Sequence, residues 1–121
     1  MAKILIVDDD IEIRKLLSAH FMSKGYEVVT GENGKEGVSL AAEEKPDLII
    51  MDLNMPVMDG FLATKEIKTS SETGTIPIIV LSAENAEANL EEIYAAGADG
   101  FVPKPLDIPR LLARAAEFIT T

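Results

Sequence analysis

The sequence predicts an α/β fold, in which a parallel sheet of five strands carries helices on both faces. Apolar runs of strand length alternate with stretches of helical periodicity along the whole chain. Residues 4–7 and 48–51 are apolar throughout, as expected for strands that are buried on both faces. The connections between the runs are short and polar, and such alternation favours parallel strands joined by crossover helices.

The remaining strands are predicted at residues 26–30, 77–81 and 100–102. Residues 26–30 are rich in β-branched side chains, which favour strands. Pro103 follows the last strand, and because proline cannot donate to a sheet ladder, that strand should lie at an edge or end there.

Capping residues mark the predicted helix starts. In helix one, Asp9 with Glu12 three residues later resembles a capping arrangement. Helix four is predicted over about residues 85–96 and ends at Gly97, a residue suited to a left-handed cap. Three further helices have a candidate N-cap: Asn33, Asp59 and Asp107.

Length and charge limit the classes of function. The 121 residues suffice for one domain, residues 1–121, with a single core. The net charge of −10 argues against direct binding to nucleic acid or to an anionic membrane, since both are held mainly by Lys and Arg. Cysteines are absent, and no apolar run approaches the roughly 20 residues of a membrane span. A cytoplasmic location is therefore expected.

Acidic, hydroxyl and amine side chains follow four of the predicted strands. They are Asp8, Asp9, Asp52, Ser82 and Lys104. Because the carboxyl ends of parallel strands share one edge of the sheet, these groups should converge. Clustered carboxylates repel one another, and Mg²⁺ with its oxygen ligands would neutralise them. This predicts a site for a phosphoryl group, with Asp52 as nucleophile and Ser82 as a hydrogen-bond donor.

Each of these residues has an ordinary structural interpretation when it is taken alone. The aspartates at 8–10 could cap a helix, Ser82 could cap helix four, and Lys104 could be a surface lysine. His20 is interpreted as structural, because the chain has no second histidine and no cysteine to complete a metal site. The joint placement of the acids, the hydroxyl and the amine favours the functional interpretation.

The motifs together resemble the receiver domain of two-component response regulators. The resemblance covers essentially the whole chain, and it rests on Val7-Asp8-Asp9, Pro46-Asp47, Met51-Asp52-Leu53-Asn54-Met55-Pro56, Asp59-Gly60, Leu81-Ser82-Ala83, Gly97-Ala98-Asp99-Gly100-Phe101 and Lys104-Pro105. It implies a doubly wound, flavodoxin-like sheet of strand order 2-1-3-4-5. It also implies a phosphoaccepting switch and not a turnover enzyme acting on a separate substrate.

The resemblance assigns roles to individual residues. Asp52 would be the phosphoacceptor, and Mg²⁺ would be held by Asp8, Asp9, Asp52 and the main-chain carbonyl of Asn54. Lys104 would pair with the phosphoryl group, and its bond to Pro105 is expected to be cis.

Further implied roles concern switching and the loss of the phosphoryl group. Ser82 and Phe101 would move together and alter a surface on helix four, strand five and helix five. Asn54 and Glu84 would tune dephosphorylation.

The implied partners are a sensor histidine kinase or phosphotransfer protein, and a downstream effector protein or output domain. The chain is expected to be either a stand-alone receiver or part of a longer regulator.

Three alternatives stay open. A phosphatase with an aspartate nucleophile usually carries a second acid two residues after it, and here that residue is Asn54. A flavodoxin-like carrier would need a phosphate cradle after strand one, where Asp8 and Asp9 would repel the phosphate. A degenerate receiver that acts only as an interaction module is the third.

Overall fold

The computed structural model describes residues 2–53, 58–82 and 90–119. Within these ranges five strands and five helices alternate along the chain. The strands are β1 Lys3–Val7, β2 Glu27–Gly31, β3 Leu48–Asp52, β4 Ile78–Ser82 and β5 Gly100–Pro103. The helices are α1 Ile11–Ser23, α2 Gly34–Glu44, α3 Gly60–Thr69, α4 Leu90–Ala95 and α5 Ile108–Phe118.

All strand pairs are parallel, and the strand order is β2-β1-β3-β4-β5. The fold and strand order implied by the resemblance are therefore confirmed. In the register, Val7 lies beside Met51, and Asp52 lies beside Leu81. The chain consequently leaves β1 and β3 at neighbouring points of the same sheet edge, which is the edge that carries the predicted site.

Alternate side chains of the central strands enter two separate cores, as the two-residue period of a strand requires. Leu5 and Val7 of β1 pack in the core beneath α2, α3 and α4. Ile4 and Ile6 pack in the opposite core, against Leu17 of α1 and residues of α5. The sheet is thus covered on both faces, and its central strands are apolar on both sides for that reason.

The start of α1 differs from the sequence prediction. Asp10, and not Asp9, is the N-cap, and its carboxylate accepts a hydrogen bond from the main-chain N–H of Glu12. The main-chain N–H of Asp10 donates to Asp8 Oδ1 at 2.9 Å, so the chain turns before the helix begins. The prediction of Asp9 as the cap was wrong because this turn delays the helix by one residue.

The glycine predicted to follow helix four has the expected backbone conformation. Gly97 has the left-handed backbone (φ 109°) that was predicted, while the predicted start of the helix near residue 85 lies outside the described residues. In the described part of the chain, no helix combines the length and the apolar character needed to cross a membrane.

Candidate functional site at the carboxyl edge of the sheet

The carboxyl ends of β1, β3 and β5 bring three of the predicted site residues to one edge of the sheet. Asp8 follows β1 directly, Asp52 is the last residue of β3, and Lys104 follows β5. Asp8 is fully buried, and Asp52 is 1% exposed. Burial of two carboxylates side by side is costly unless positive charge compensates them.

Lys104 supplies part of that compensation. Its ammonium nitrogen lies 3.1 Å from Asp52 Oδ1 and 3.7 Å from Asp8 Oδ2. The position of Lys104 is fixed by its main-chain N–H, which donates to the carbonyl of Ser82 at 2.7 Å. One lysine therefore faces two carboxylates that come from strands far apart in the sequence.

Asp8 is held at three of its polar atoms. Its main-chain N–H donates to the carbonyl of Gly31, its Oδ1 accepts from Asp10, and its carbonyl accepts from Arg14 Nη1 at 2.6 Å. The fourth atom, Oδ2, is buried and has no hydrogen bond within the described part of the structure. A buried carboxylate oxygen without a hydrogen bond is costly, and a cation would satisfy it.

The acidic cluster has the dimensions of a metal site. Asp8, Asp9 and Asp52 each offer one carboxylate oxygen, and these three oxygens lie within 4.8 Å of one another. Hard cations such as Mg²⁺ take oxygen ligands of this kind. The donor set and the unsatisfied Asp8 Oδ2 both fit Mg²⁺.

The pKa values of Asp8 and Lys104 are both raised at this site. Burial, helped by the charge of Asp52, raises the pKa of Asp8 to about 6, although the Asp10 N–H and Lys104 act in the other direction. Burial by itself would lower the pKa of Lys104, but its hydrogen bond to Asp52 and the surrounding carboxylates outweigh this and raise it. Lys104 is therefore a cation throughout the physiological range.

The structure describes Ser82, Phe101 and Pro105 among the other predicted site residues. Ser82 is buried at the end of β4, and Phe101 in β5 is half-buried and packs against the core beneath α2 to α4. The peptide bond between Lys104 and Pro105 is cis. Asn54 and Glu84 lie outside the described residues, so their roles stay predictions.

Gly60 and Arg14 make contacts near the site that were not predicted from the sequence. A Cβ atom at Gly60 would collide with the main-chain carbonyl of Asp52, so only glycine allows α3 to approach the end of β3 so closely. Glycine in the first turn of a predicted helix is a poor helix former, and that was the available signal. Arg14 binds a main-chain carbonyl, a contact that leaves no pattern in the sequence.

Comparison with known families gives one family over nearly the whole chain. Residues 4–116 match the family model of the response regulator receiver domain. Among curated proteins, Protein PilH of Pseudomonas aeruginosa is 39% identical over 112 residues, which are 93% of each chain. Several other curated relatives are longer, and the matched region spans 43% to 48% of their length.

Solved structures give the same result. The chemotaxis protein CheY4 of Vibrio cholerae superposes with a TM-score of 0.92 at 38% identity, covering 98% of this chain and 99% of that one. The receiver domain of sensor histidine kinase PA1611 from Pseudomonas aeruginosa superposes with a TM-score of 0.88 at 30% identity, covering 97% and 96%. That structure has a magnesium ion coordinated in its active-site cleft.

Proposed function

The chain belongs to the response regulator receiver domain family of two-component signalling, and on that premise we propose that it is a phosphoaccepting switch whose phosphoacceptor is Asp52. The observation that carries the proposal is the position of the Asp52 carboxylate. It lies buried at the end of a central strand, 3.1 Å from the Lys104 ammonium and beside two further carboxylates.

Mg²⁺ is the proposed cofactor. Asp8, Asp9 and Asp52 would hold it, together with the main-chain carbonyl of Asn54. The metal, when bound, offsets the negative charge of the carboxylates and of an incoming phosphoryl group. Support comes from the three converging oxygens and from Asp8 Oδ2, which accepts no hydrogen bond from the described residues.

The proposed reaction moves a phosphoryl group from a phosphohistidine to Asp52. An Asp52 carboxylate oxygen forms the new bond to phosphorus while the bond between phosphorus and the histidine nitrogen breaks, and the electron pair of that bond stays on the imidazole. The product is an acyl phosphate. Lys104 would pair with the transferred group, and the Ser82 hydroxyl would donate to one of its oxygens.

The phosphoryl group is removed by water in the proposed cycle. Water attacks phosphorus and the bond between phosphorus and the Asp52 oxygen breaks. The Asp52 carboxylate is regenerated, and inorganic phosphate leaves with the oxygen of the water, whose hydrogens go to the phosphate or to solvent. Asn54 and Glu84 would tune the rate of this step. The domain thus modifies and restores its own side chain, and in this proposal it does not turn over a separate substrate.

The proposed output is a change of surface. Ser82 and Phe101 would shift together on phosphorylation, and α4, β5 and α5 would then present a different face to an effector protein or output domain. The proposed donor is a sensor histidine kinase or a phosphotransfer protein, in the cytoplasm. A net charge of −10 makes nucleic acid a poor direct ligand of this domain.

Intact-protein mass spectrometry after incubation with acetyl phosphate tests the proposal. We expect one phosphoryl adduct that requires Mg²⁺ and disappears in Asp52→Ala. The matched control is Asp47→Ala, which removes the aspartate directly before the same strand, at the end far from the site, and should leave the adduct intact. An adduct that persists in Asp52→Ala would place the phosphoacceptor at another residue and contradict the assignment of Asp52. No adduct under any condition would contradict the phosphoaccepting function and favour a pure interaction module.

A further inference from the structure

A side chain outside the acidic cluster holds the segment that carries two of the proposed metal ligands. Arg14 lies in the first turn of α1, and its Nη1 donates to the main-chain carbonyl of Asp8 at 2.6 Å. Hydrogen bonds from a guanidinium are stronger than those between neutral groups. The Arg14 side chain is only 12% exposed, so water competes little for this contact.

This contact controls more than one atom. A peptide unit is planar, so the direction of the Asp8 carbonyl also sets the position of the following N–H and Cα, which belong to Asp9. The other hydrogen bonds of Asp8 with described residues join its N–H to Gly31 and its Oδ1 to the N–H of Asp10, and its Oδ2 lies 3.7 Å from the Lys104 ammonium. Arg14 is therefore the one side chain, among the described residues, whose hydrogen bond fixes the peptide between Asp8 and Asp9.

Arg14 is itself anchored at both ends. Its main chain belongs to α1, which is fixed to the sheet by the buried side chains of Leu17 and Phe21. Its Nη2 lies 3.7 Å from Glu32 Oε1, in the turn between β2 and α2. The Glu32 side chain is mostly exposed, so we give that ion pair little weight compared with the hydrogen bond to Asp8.

On the premise of the proposed function, we propose that Arg14 is a positioning residue for Mg²⁺, which orients Asp8 and Asp9 through the Asp8 carbonyl. Because Arg14 is positively charged, its charge and its positioning role predict opposite effects on Mg²⁺ affinity. A cation close to a metal site repels the metal, so charge alone predicts tighter Mg²⁺ binding when Arg14 is neutralised. Positioning predicts the opposite sign.

The test compares Arg14→Met, Arg14→Lys and Lys15→Met with the parent protein by titrating each with Mg²⁺ in a calorimeter at neutral pH. Lys15 is the matched control, because it is exposed on the same helix and its side chain makes no hydrogen bond or ion pair with the described residues. We expect Arg14→Met to weaken Mg²⁺ binding about tenfold, the lower end of what loss of a ligand-orienting partner costs. Lys15→Met should stay within about twofold of the parent, on the tighter side.

Arg14→Lys separates charge from geometry. It keeps the positive charge but loses the planar fork that reaches the carbonyl, so we expect Mg²⁺ affinity below that of the parent. Thermal unfolding without Mg²⁺ serves as the second readout. A variant that unfolds near the parent's midpoint while it binds Mg²⁺ more weakly supports positioning, and Arg14→Lys keeps the test open if Arg14→Met does not fold.

Failure of the role given to Arg14 and failure of the proposed metal site would give different results. Equal or tighter binding of Mg²⁺ by Arg14→Met, with normal binding by the parent, overturns the role of Arg14 and leaves the proposed function standing. Absence of Mg²⁺ binding by the parent overturns the metal site itself, and the role of Arg14 with it.

Discussion

The ammonium of Lys104 lies 3.1 Å from Asp52 Oδ1, although the two residues are 52 positions apart in the sequence. The same nitrogen lies 3.7 Å from Asp8 Oδ2. Lys104 thus stabilises the buried carboxylates in the absence of metal, and in the proposed function its ammonium would also pair with a phosphoryl group on Asp52. These two roles have opposite consequences for Mg²⁺ and for phosphoryl transfer.

Replacement of Lys104 by Met should therefore separate the two. We expect Mg²⁺ to bind several-fold more tightly, because a competing positive charge is removed. Phosphorylation of Asp52 by acetyl phosphate should slow about 100-fold, as when a single donor to a developing charge is removed. Calorimetry and the rate of adduct formation measure these effects, with the exposed Lys65→Met as control. Slower phosphorylation accompanied by weaker Mg²⁺ binding would contradict the two roles given to Lys104.

The stability of the metal-free protein should depend on Asp8. Its pKa is about 6 in the folded state against 3.8 unfolded, so the folded state binds the additional proton between these values. Stability from this group is full below about pH 4 and falls as pH rises through about 6, by at most about 3 kcal/mol.

Denaturant unfolding of the parent and of Asp8→Asn, across pH 4 to about pH 7 without Mg²⁺, measures this dependence. The difference between the two proteins isolates Asp8 from the other acids. Asp8→Asn should gain stability relative to the parent as pH rises. A difference that stays constant with pH, or that changes in the opposite direction, would show that the Asp8 pKa is not raised by burial.

Two buried threonines should respond in opposite ways to the same substitution. Thr64 Oγ1 is buried and has no hydrogen bond in the described part of the structure, whereas Thr73 Oγ1 donates to the carbonyl of Ile67 at 2.7 Å. Thr64→Val should raise the free energy of unfolding or leave it unchanged, since a costly polar group is removed. Thr73→Val should lower it by about 1 to 2 kcal/mol. Denaturant unfolding compares them, and equal losses would refute the argument.

Two residues with positive φ should also respond in opposite ways to substitution. Lys45 follows α2 in the left-handed conformation (φ 46°), and Gly25 follows α1 with φ 92°, where an added Cβ atom would meet nothing within 4 Å. Lys45→Gly should stabilise the protein and Gly25→Ala should destabilise it, each by about 1 kcal/mol. Thermal unfolding measures both. Because the added Cβ atom at Gly25 meets no steric obstacle, Gly25→Ala tests the cost of the left-handed backbone alone, and a stabilised variant would contradict that cost.

Much of the fold was readable because its elements are encoded locally. The five predicted strands agree with the observed ones to within one residue at every end. The central strands were the clearest, since strands buried on both faces need continuous apolar runs. Asn33, Asp59 and Asp107 cap the helices for which they were predicted, because a cap acts on a main-chain N–H two or three residues away. The strand order came from the family resemblance, as local spacing does not determine it.

The sequence by itself also determined that acids, a hydroxyl and an amine would meet at one edge, because parallel strands all end there. Only the tertiary structure decided which atoms face one another: Lys104 toward both Asp52 and Asp8, Asp10 as the cap, and Arg14 on the Asp8 carbonyl. Distances of a few ångströms between distant segments depend on register and packing. Local sequence propensities carry no information about register or about packing between distant segments.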